Sequence, residues 1–378
     1  MSAKPDLVVF SHLRWDFVYQ RPQHLLSRLA EGRRVLFIEE PEHAEGVTPS
    51  WTLSRPSPGV QVCRLVTPNP APGFHDNHID TFRPLLRHLL RSEGVEDYAT
   101  WFYTPMALPH AQRLTPRLTV YDCMDELSAF HGAPPELLTR EESLLAQADL
   151  VFTGGRSLYR AKCGRHPSVH CLPSSVDAAH FRAALDPRIT APEMANVPHP
   201  RLGFYGVIDE RLDIEMIGAL AEMRPNWQIV MVGPVVKIDP EALPRAHNIH
   251  YMGQRTYAEL PSFLAGWDVC LLPFALNEAT RFISPTKTLE YMAAEKPIVG
   301  TPIADVVEPY GDIVYIGDTP RAFVAACERA LSASAGERAE RTAAMRAVLA
   351  ETSWDTTASA MDTLISQQIA TQRLRRVA

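Results

Sequence analysis

The chain has 378 residues, which is too long for one ordinary hydrophobic core and suits two domains of ordinary size. Hydrophobic residues make up 46% and charged residues 21%, as in water-soluble globular proteins, and no apolar run reaches the roughly 18 residues of a membrane span. The net charge of −7 argues against a nucleic-acid partner, because such a partner requires a basic surface.

Short runs of β-branched and aromatic residues alternate with helical patterns in the first half of the chain. They predict strands at 7–10, 35–39, 60–65, 100–103, 119–122, 150–153 and 169–173, with helices at 20–30, 77–90 and 136–148. Apolar runs that are separated by helices indicate parallel strands covered on both faces. We therefore predict a doubly wound α/β domain over residues 1–182.

A second set of alternating elements follows a Pro- and Ala-rich segment at 183–200, which we interpret as a linker. Strands are predicted at 202–207, 227–232, 249–252, 269–273, 297–300 and 313–316, with helices at 211–223, 257–266, 284–294 and 320–332. This gives a second α/β domain over 201–352. The pattern at 353–378 predicts a final helix, which either packs back on the first domain or lies at the edge of the second.

The two ends of the chain and its cysteines indicate the cellular compartment in which the protein is expected. The first residues enter an apolar strand almost at once without a cleavable export signal, so we expect a cytoplasmic protein. The six cysteines include no CxxC pair, which favours reduced thiols over zinc ligands or disulfides. The basic tail at 373–376 is interpreted as a solvated helix end that adds at most weak attraction to the inner membrane surface.

The segment 277–299 is the most informative for function. Ser284 is a natural N-cap, Pro285 suits the first helical position, and Thr286 and Lys287 fall in the first turn. This predicts a helix N-terminus with backbone N–H groups that can bind a phosphate. Capped helices are common, however, so the capping pattern alone does not define a site.

Charged side chains strengthen the interpretation of this segment as a nucleotide site. Arg281 and Lys287 flank the predicted turn and supply the positive charge that a diphosphate needs. Glu290, one turn further along, is placed to accept hydrogen bonds from a ribose diol. A glutamate on a helix is more often merely solvated, so the prediction depends on the combination.

The run at 284–299, SPTKTLEYMAAEKPIV, resembles the donor-site helix of GT-B glycosyltransferases, especially the retaining type grouped in family four (glycosyl transferases group 1). Stretches at 201–213, 231–234 and 249–274 are similar to that family in the same order. The resemblance implies two Rossmann-like domains facing a cleft, ribose binding by Glu290, and a crossover helix from Trp354 that packs on the N-terminal domain. Like other members, the protein is then expected to need no metal and no cofactor besides its nucleotide-sugar donor.

The sequence departs from this family at two places. The acid that usually stands eight residues before the ribose-binding glutamate is Phe282 here. The basic pair that holds the diphosphate is incomplete: Arg211, which follows Gly206, is the candidate for the first member, and Arg281 or Lys287 replaces the second.

Polar residues also follow predicted strands in the first half. His12 lies in the loop after the first strand, just before a stretch, W-x-x-x-x-Q-R-P-Q at 15–23, that resembles a bacterial subgroup linked to cell-surface polysaccharides. Asp122 and Asp125 come at the end of another strand. They could act as a base and its partner, hold substrate hydroxyls, bind a divalent metal as a DxxD, for which no third ligand is evident, or cap the next helix. Asp125 is the first choice for a catalytic or acceptor-orienting residue, with His12 and Asp122 after it.

These observations predict a glycosyltransferase that moves a hexose-type sugar from a UDP- or GDP-linked donor to a hydroxyl of a glycan or lipid-linked acceptor. Two alternatives share the architecture: a non-hydrolysing nucleotide-sugar 2-epimerase and a catalytically silent nucleotide-sugar-binding protein. A dinucleotide-dependent dehydrogenase is disfavoured because no GxGxxG motif follows a predicted strand.

Overall fold

The computed structural model describes residues 4–377, with side chains to residue 372. The basic tail at 373–376 therefore lies outside the residues whose side chains are described. The chain divides into two compact units, unit 1 with Met1–Pro173 and Asp355–Ala378, and unit 2 with Ser174–Trp354. None of the described helices combines the length and apolar character that crossing a membrane demands.

Unit 1 is a doubly wound α/β domain with an added hairpin. Its described strands are β1 (Asp6–Ser11), β2 (Val35–His43), β3 (Ser50–Ser57), β4 (Val60–Thr67), β5 (Tyr98–Phe102), β6 (Leu118–Cys123), β7 (Leu150–Thr153) and β8 (Val169–Cys171). The helices between them are α1 (Arg21–Leu29), α2 (Ile79–Ser92), α3 (Leu108–Ala111), α4 (Glu136–Gln147) and α5 (Arg156–Lys162). The strand order is β3-β4-β2-β1-β5-β6-β7-β8, and all neighbours are parallel except β3 and β4.

Strand β3 is the element of this sheet that the sequence did not predict. It forms the antiparallel edge of the sheet, and most of its side chains are exposed. An exposed edge strand lacks the apolar run that marks a buried strand, and Pro56 within it is typical of sheet edges.

Unit 2 is a second doubly wound domain. Its described helices are α6 (Ala178–Arg182), α7 (Ile214–Met223), α8 (Leu260–Ala265), α9 (Thr286–Ala293), α10 (Ala304–Tyr310), α11 (Pro320–Ser332) and α12 (Ala335–Ala350). Its described strands are β9 (Arg201–Tyr205), β10 (Gln228–Val232), β11 (Ile249–Tyr251), β12 (Val269–Leu272), β13 (Ile298–Gly300) and β14 (Tyr315–Ile316), in the parallel order β11-β10-β9-β12-β13-β14. The fold class predicted from the sequence, two doubly wound α/β domains in tandem, is confirmed.

The prediction that residues 183–200 form a linker between the domains is wrong. The boundary between the units falls between Pro173 and Ser174, and the segment that follows belongs to unit 2. Phe181, Met194 and Val197 are buried in the hydrophobic core of that unit. The Pro- and Ala-rich composition reflects a series of short helical turns packed on the core.

The final helix, α13 (Trp354–Val377), is part of unit 1 from Asp355 onward. Arg28 of α1 contacts Asp355 at 2.5 Å, and the buried side chain of Arg33 contacts Asp362. Gln372 donates a hydrogen bond to Asp149 at 2.7 Å. The last segment of the chain therefore packs on the domain that contains the first segment.

The core of unit 2 depends on a glycine in β9. A Cβ atom at Gly203 would overlap the indole ring of Trp267, which is buried between strand and helix. We expect Gly203→Ala to lower the free energy of unfolding by about 1–3 kcal/mol, because neither the strand nor the ring can move away. Gly218→Ala in α7, where the nearest heavy atom is Pro244 Cβ at 3.4 Å, is the matched control. Urea unfolding that affects both variants equally would contradict this account.

Candidate functional site

The strand order of unit 2 reverses between β9 and β12, and the loops that follow these two strands meet there. The Asp213 N–H donates to the Pro273 carbonyl at 2.9 Å, and the Ala275 N–H donates to the Arg211 carbonyl at 2.9 Å. In open α/β sheets, ligands bind beyond the carboxyl ends of the strands at such a reversal. The candidate nucleotide residues all lie in or near these two loops.

Helix α9 begins one residue later than the sequence predicts. Pro285, with φ −68° and ψ 115°, is the N-cap, so Ser284 lies outside the helix and the predicted Ser284 cap is wrong. The extended ψ of Pro285 keeps that residue out of the first turn. Thr286 and Lys287 are the first two helical residues, and the first N–H groups of a helix have no acceptors within it. The first turn of α9 is therefore formed by Thr286 and Lys287, and phosphate binding there stays a prediction.

Lys287 lies against the backbone at the end of β9. A Cβ atom at Gly206 would overlap the Lys287 Cε atom, and the ammonium nitrogen is 5.7 Å from the centroid of the Phe204 ring. Gly206 has φ +134°, a backbone conformation that residues other than glycine rarely adopt. Glycine at this position therefore provides both the turn and the space for the lysine.

Glu290 is buried one turn into α9, with 8% of its surface exposed. Its Oε2 atom accepts a hydrogen bond from the Tyr205 hydroxyl at 2.5 Å. Burial raises the pKa of Glu290, while the Lys287 charge and hydrogen bonds from Tyr205 and Thr286 act in the opposite direction. The carboxyl group is thus isolated from bulk water but surrounded by groups that stabilise its charged form.

The other two predicted cations are engaged with acids. The guanidinium group of Arg211 contacts both carboxylate oxygens of Asp209, with the shortest distance 2.7 Å. Arg281 is exposed, lies 3.6 Å from Glu278, and stacks over the Phe282 ring at 5.2 Å. The structure thus brings Gly206, Lys287 and Glu290 together, and it pairs Arg211 and Arg281 with neighbouring carboxylates.

In unit 1, Asp122 is a fully buried partner of Arg21. The guanidinium group contacts both oxygens of Asp122, at 2.8 and 3.2 Å, and donates to the Leu172 carbonyl at 2.8 Å. Burial raises the pKa of Asp122, and the Arg21 charge opposes that rise. This geometry favours a structural role for Asp122; its catalytic role stays a prediction.

His12 and Asp125 follow the carboxyl ends of β1 and β6 and are both half-buried. The loop after β1 is held by Glu39, whose Oε1 atom accepts from the Trp15 N–H at 2.7 Å. The loop after β6 is held by Lys162, which contacts Glu126 at 2.7 Å. Sequence reasoning missed these buried anchors, because nothing local distinguishes Glu39 or Lys162 from surface charges.

No group of three or more His, Cys, Asp or Glu side chains with metal-binding geometry occurs among the described residues. All six cysteines lie in the described part of the chain and are free thiols, four of them buried. The catalytic roles of Asp125 and His12 stay predictions.

Comparison with known proteins finds a related family domain in unit 2. Residues 199–333 match the family model described as glycosyl transferases group 1. The chain is 27% identical over 278 residues to TuaH of Bacillus subtilis (strain 168), which is named as a teichuronic acid biosynthesis glycosyltransferase; the alignment covers 67% of this chain and 69% of TuaH.

Solved structures share the fold at low sequence identity. A sucrose-phosphate synthase from Thermosynechococcus elongatus is 16% identical with a TM-score of 0.70, over 97% of this chain and 100% of that one. A Burkholderia xenovorans α,α-trehalose-phosphate synthase is 12% identical with a TM-score of 0.71, over 96% and 100%. An Escherichia coli structure described as bound with UDP-2-fluoro glucose is 15% identical with a TM-score of 0.68, over 96% and 99%.

The fold and the matched domain define an enzyme, a glycosyltransferase of the GT-B architecture. The group 1 domain at 199–333 contains Gly206, Lys287 and Glu290, the residues that unit 2 brings together.

Proposed function

We propose that this glycosyltransferase takes a hexose-type sugar from a UDP- or GDP-linked donor and transfers it to a hydroxyl of a glycan or lipid-linked acceptor. The observation that carries the proposal is the pairing of Lys287, held against Gly206, with the buried Glu290 one helical turn away. A cation and a buried carboxylate at one helix N-terminus fit the diphosphate and the ribose of a single nucleotide.

The donor contacts follow from the chemistry of these groups. The backbone N–H groups of Thr286 and Lys287, with the Lys287 ammonium, would bind diphosphate oxygens, and Ser284 lies just before them. Glu290 would accept hydrogen bonds from the ribose hydroxyls. Arg211 and Arg281 would add charge if the diphosphate draws them from Asp209 and Glu278.

The reaction breaks the bond between the anomeric carbon and the diphosphate oxygen and forms a bond from that carbon to the acceptor oxygen. We propose that the anomeric configuration is retained, as the resemblance to family four implies. The acceptor then attacks the donor's front face, because no internal nucleophile can be named among the described residues. The acceptor proton then passes to the leaving diphosphate, whose growing negative charge is stabilised by Lys287 and the helix N-terminus. This scheme uses no metal.

The acceptor is proposed from the name of TuaH and from unit 1. A relative named for teichuronic acid biosynthesis supports a glycan or lipid-linked sugar of a cell-surface polysaccharide as acceptor. Asp125 and His12 would orient its hydroxyl, since both follow strand ends in unit 1. Synthesis on such an acceptor would bring the protein to the inner face of the membrane.

Titration calorimetry with UDP, GDP and ADP tests the donor site. We expect one nucleotide to bind at micromolar concentration and Glu290→Ala to weaken it at least tenfold, about 1.4 kcal/mol, because ribose hydrogen bonds are lost. Glu278→Ala is the control, since that acid precedes the same helix but is exposed. If no nucleotide binds, or if Glu290→Ala and Glu278→Ala bind the nucleotide with the same affinity, the donor site is elsewhere.

Product analysis separates transfer from the two alternatives. An epimerase would invert a donor carbon without any acceptor and would need free acids and bases, but Asp122 is already bound by Arg21. A silent binding protein would bind the nucleotide sugar and release no diphosphate with any acceptor. A transferase releases diphosphate in step with a new glycosidic bond.

A further inference from the structure

The last residue of β9, Tyr205, makes two hydrogen bonds to α9. Its hydroxyl donates to Glu290 Oε2 at 2.5 Å, and its backbone N–H donates to the Tyr291 hydroxyl at 3.3 Å. Tyr205 is 3% exposed, so its side chain is out of reach of a ligand. Any influence of Tyr205 on a bound nucleotide must therefore act through Glu290.

The ring of Tyr205 is held on three sides. It contacts the Tyr291 ring edge-on at 5.2 Å, lies 6.0 Å from the Trp267 ring, and stacks parallel to Phe181 at 6.2 Å. A ring packed in this way cannot swing its hydroxyl away. The hydrogen bond to Glu290 is consequently a fixed feature of unit 2.

A carboxylate recognises a ribose diol only if it is ionised and correctly oriented, since the hydroxyls donate to it. We infer that Tyr205 is the positioning residue for ribose recognition: by donating to Oε2 it fixes the plane of the Glu290 carboxylate and stabilises its acceptor form. The lone pairs of the carboxylate that Tyr205 and Thr286 leave unoccupied can then accept from the two ribose hydroxyls. This inference rests on the proposed donor site.

The electrostatics of Glu290 agree with this role. Burial raises its pKa, and Lys287, Tyr205 and Thr286 oppose the rise. Burial, together with the Glu290 charge, raises the pKa of the Tyr291 hydroxyl, so this next residue of α9 stays neutral at the pH values of the test. From β12, which packs on α9, the buried thiol of Cys270 acts on the hydroxyls of Tyr205 and Tyr291.

The sign of the pH effect follows. Removing the Tyr205 hydroxyl raises the pKa of Glu290 further, because a hydrogen bond to the charged form is lost. The carboxyl group then takes up its proton at a higher pH, and a protonated carboxyl no longer accepts from both ribose hydroxyls. As the pH is lowered, nucleotide affinity should therefore begin to fall at a higher pH in Tyr205→Phe than in the unmodified protein.

The test uses Tyr205→Phe with Tyr291→Phe as its matched control. Both changes remove one buried tyrosine hydroxyl from the same cluster, but only Tyr205 bonds to Glu290, whereas the Tyr291 hydroxyl accepts from a backbone N–H. UDP, GDP, ADP and their 2′-deoxy counterparts are titrated into each protein between pH 5 and pH 8, with Glu290→Gln as the reference without a titrating carboxyl.

We expect Tyr205→Phe to bind the ribonucleotide about tenfold more weakly near neutral pH and to lose most of the discrimination against the 2′-deoxy form. As the pH is lowered, its affinity should also begin to fall at a higher pH than that of the unmodified protein. Tyr291→Phe should keep both the discrimination and the pH profile. If the two tyrosine variants behave alike, the inference is overturned while the donor site stands. If Glu290→Gln also matches the unmodified protein, the donor site itself fails.

Discussion

Lys287→Met should lower kcat/KM for diphosphate release from the donor sugar by about 10²–10³, because one fixed charge at the leaving group is lost. The ammonium lies against Gly206 at the end of β9. From this position it would stabilise the diphosphate more as the bond to the sugar breaks. The donor identified by titration is assayed with an acceptor or through its slow hydrolysis, and kcat and KM are determined separately.

Comparing Arg281→Met with Lys287→Met tests which of these two residues replaces the missing member of the family's basic pair. Arg281 is exposed and already faces Glu278, so its loss should change kcat/KM less than tenfold. A larger effect from Arg281→Met than from Lys287→Met would reverse the assignment. Lys287→Arg should recover part of the activity, since it restores the charge with a different shape.

Arg21→Met should lower the free energy of unfolding by about 3–5 kcal/mol, because it leaves the Asp122 carboxyl buried without its partner. Both side chains are almost completely inaccessible to solvent. A buried ion pair contributes little net stability when intact, yet breaking one side of it is costly. Urea unfolding followed by tryptophan fluorescence measures the loss.

Two further variants identify the cause of that loss. Arg28→Met removes an arginine from the same helix, but its partner Asp355 is 80% exposed, so the cost should stay below about 1 kcal/mol. Combining Arg21→Met with Asp122→Leu removes both buried charges and should recover most of the stability. Equal losses from Arg21→Met and Arg28→Met would contradict a desolvated pair.

Most of the fold could be predicted because buried parallel strands carry their signal locally. Strands such as β9 and β12 are continuous apolar runs between helices, and each predicted strand of unit 2 has a counterpart in the structure. Strand β3 and helix α12 were missed for the same physical reason. Strand β3 is largely exposed, and α12 buries Met345 alone among its residues, so neither has a strong apolar pattern.

The candidate site was only partly predictable. Lys287 and Glu290 lie within one short segment, so their spacing was visible in the sequence. The Tyr205–Glu290 contact joins residues 85 positions apart, and the Arg21–Asp122 contact joins residues 101 positions apart. Such pairs depend on how helices dock on a sheet, which no local pattern encodes.

The placement of α13 sets the order in which the protein can mature during translation. Unit 2 is one contiguous stretch, and its core can close once Trp354 has been made. Unit 1 begins first but lacks Asp355 and Asp362, the partners of Arg28 and Arg33, until the last helix leaves the ribosome. Because domains fold as units during synthesis, the half made first is the half completed last.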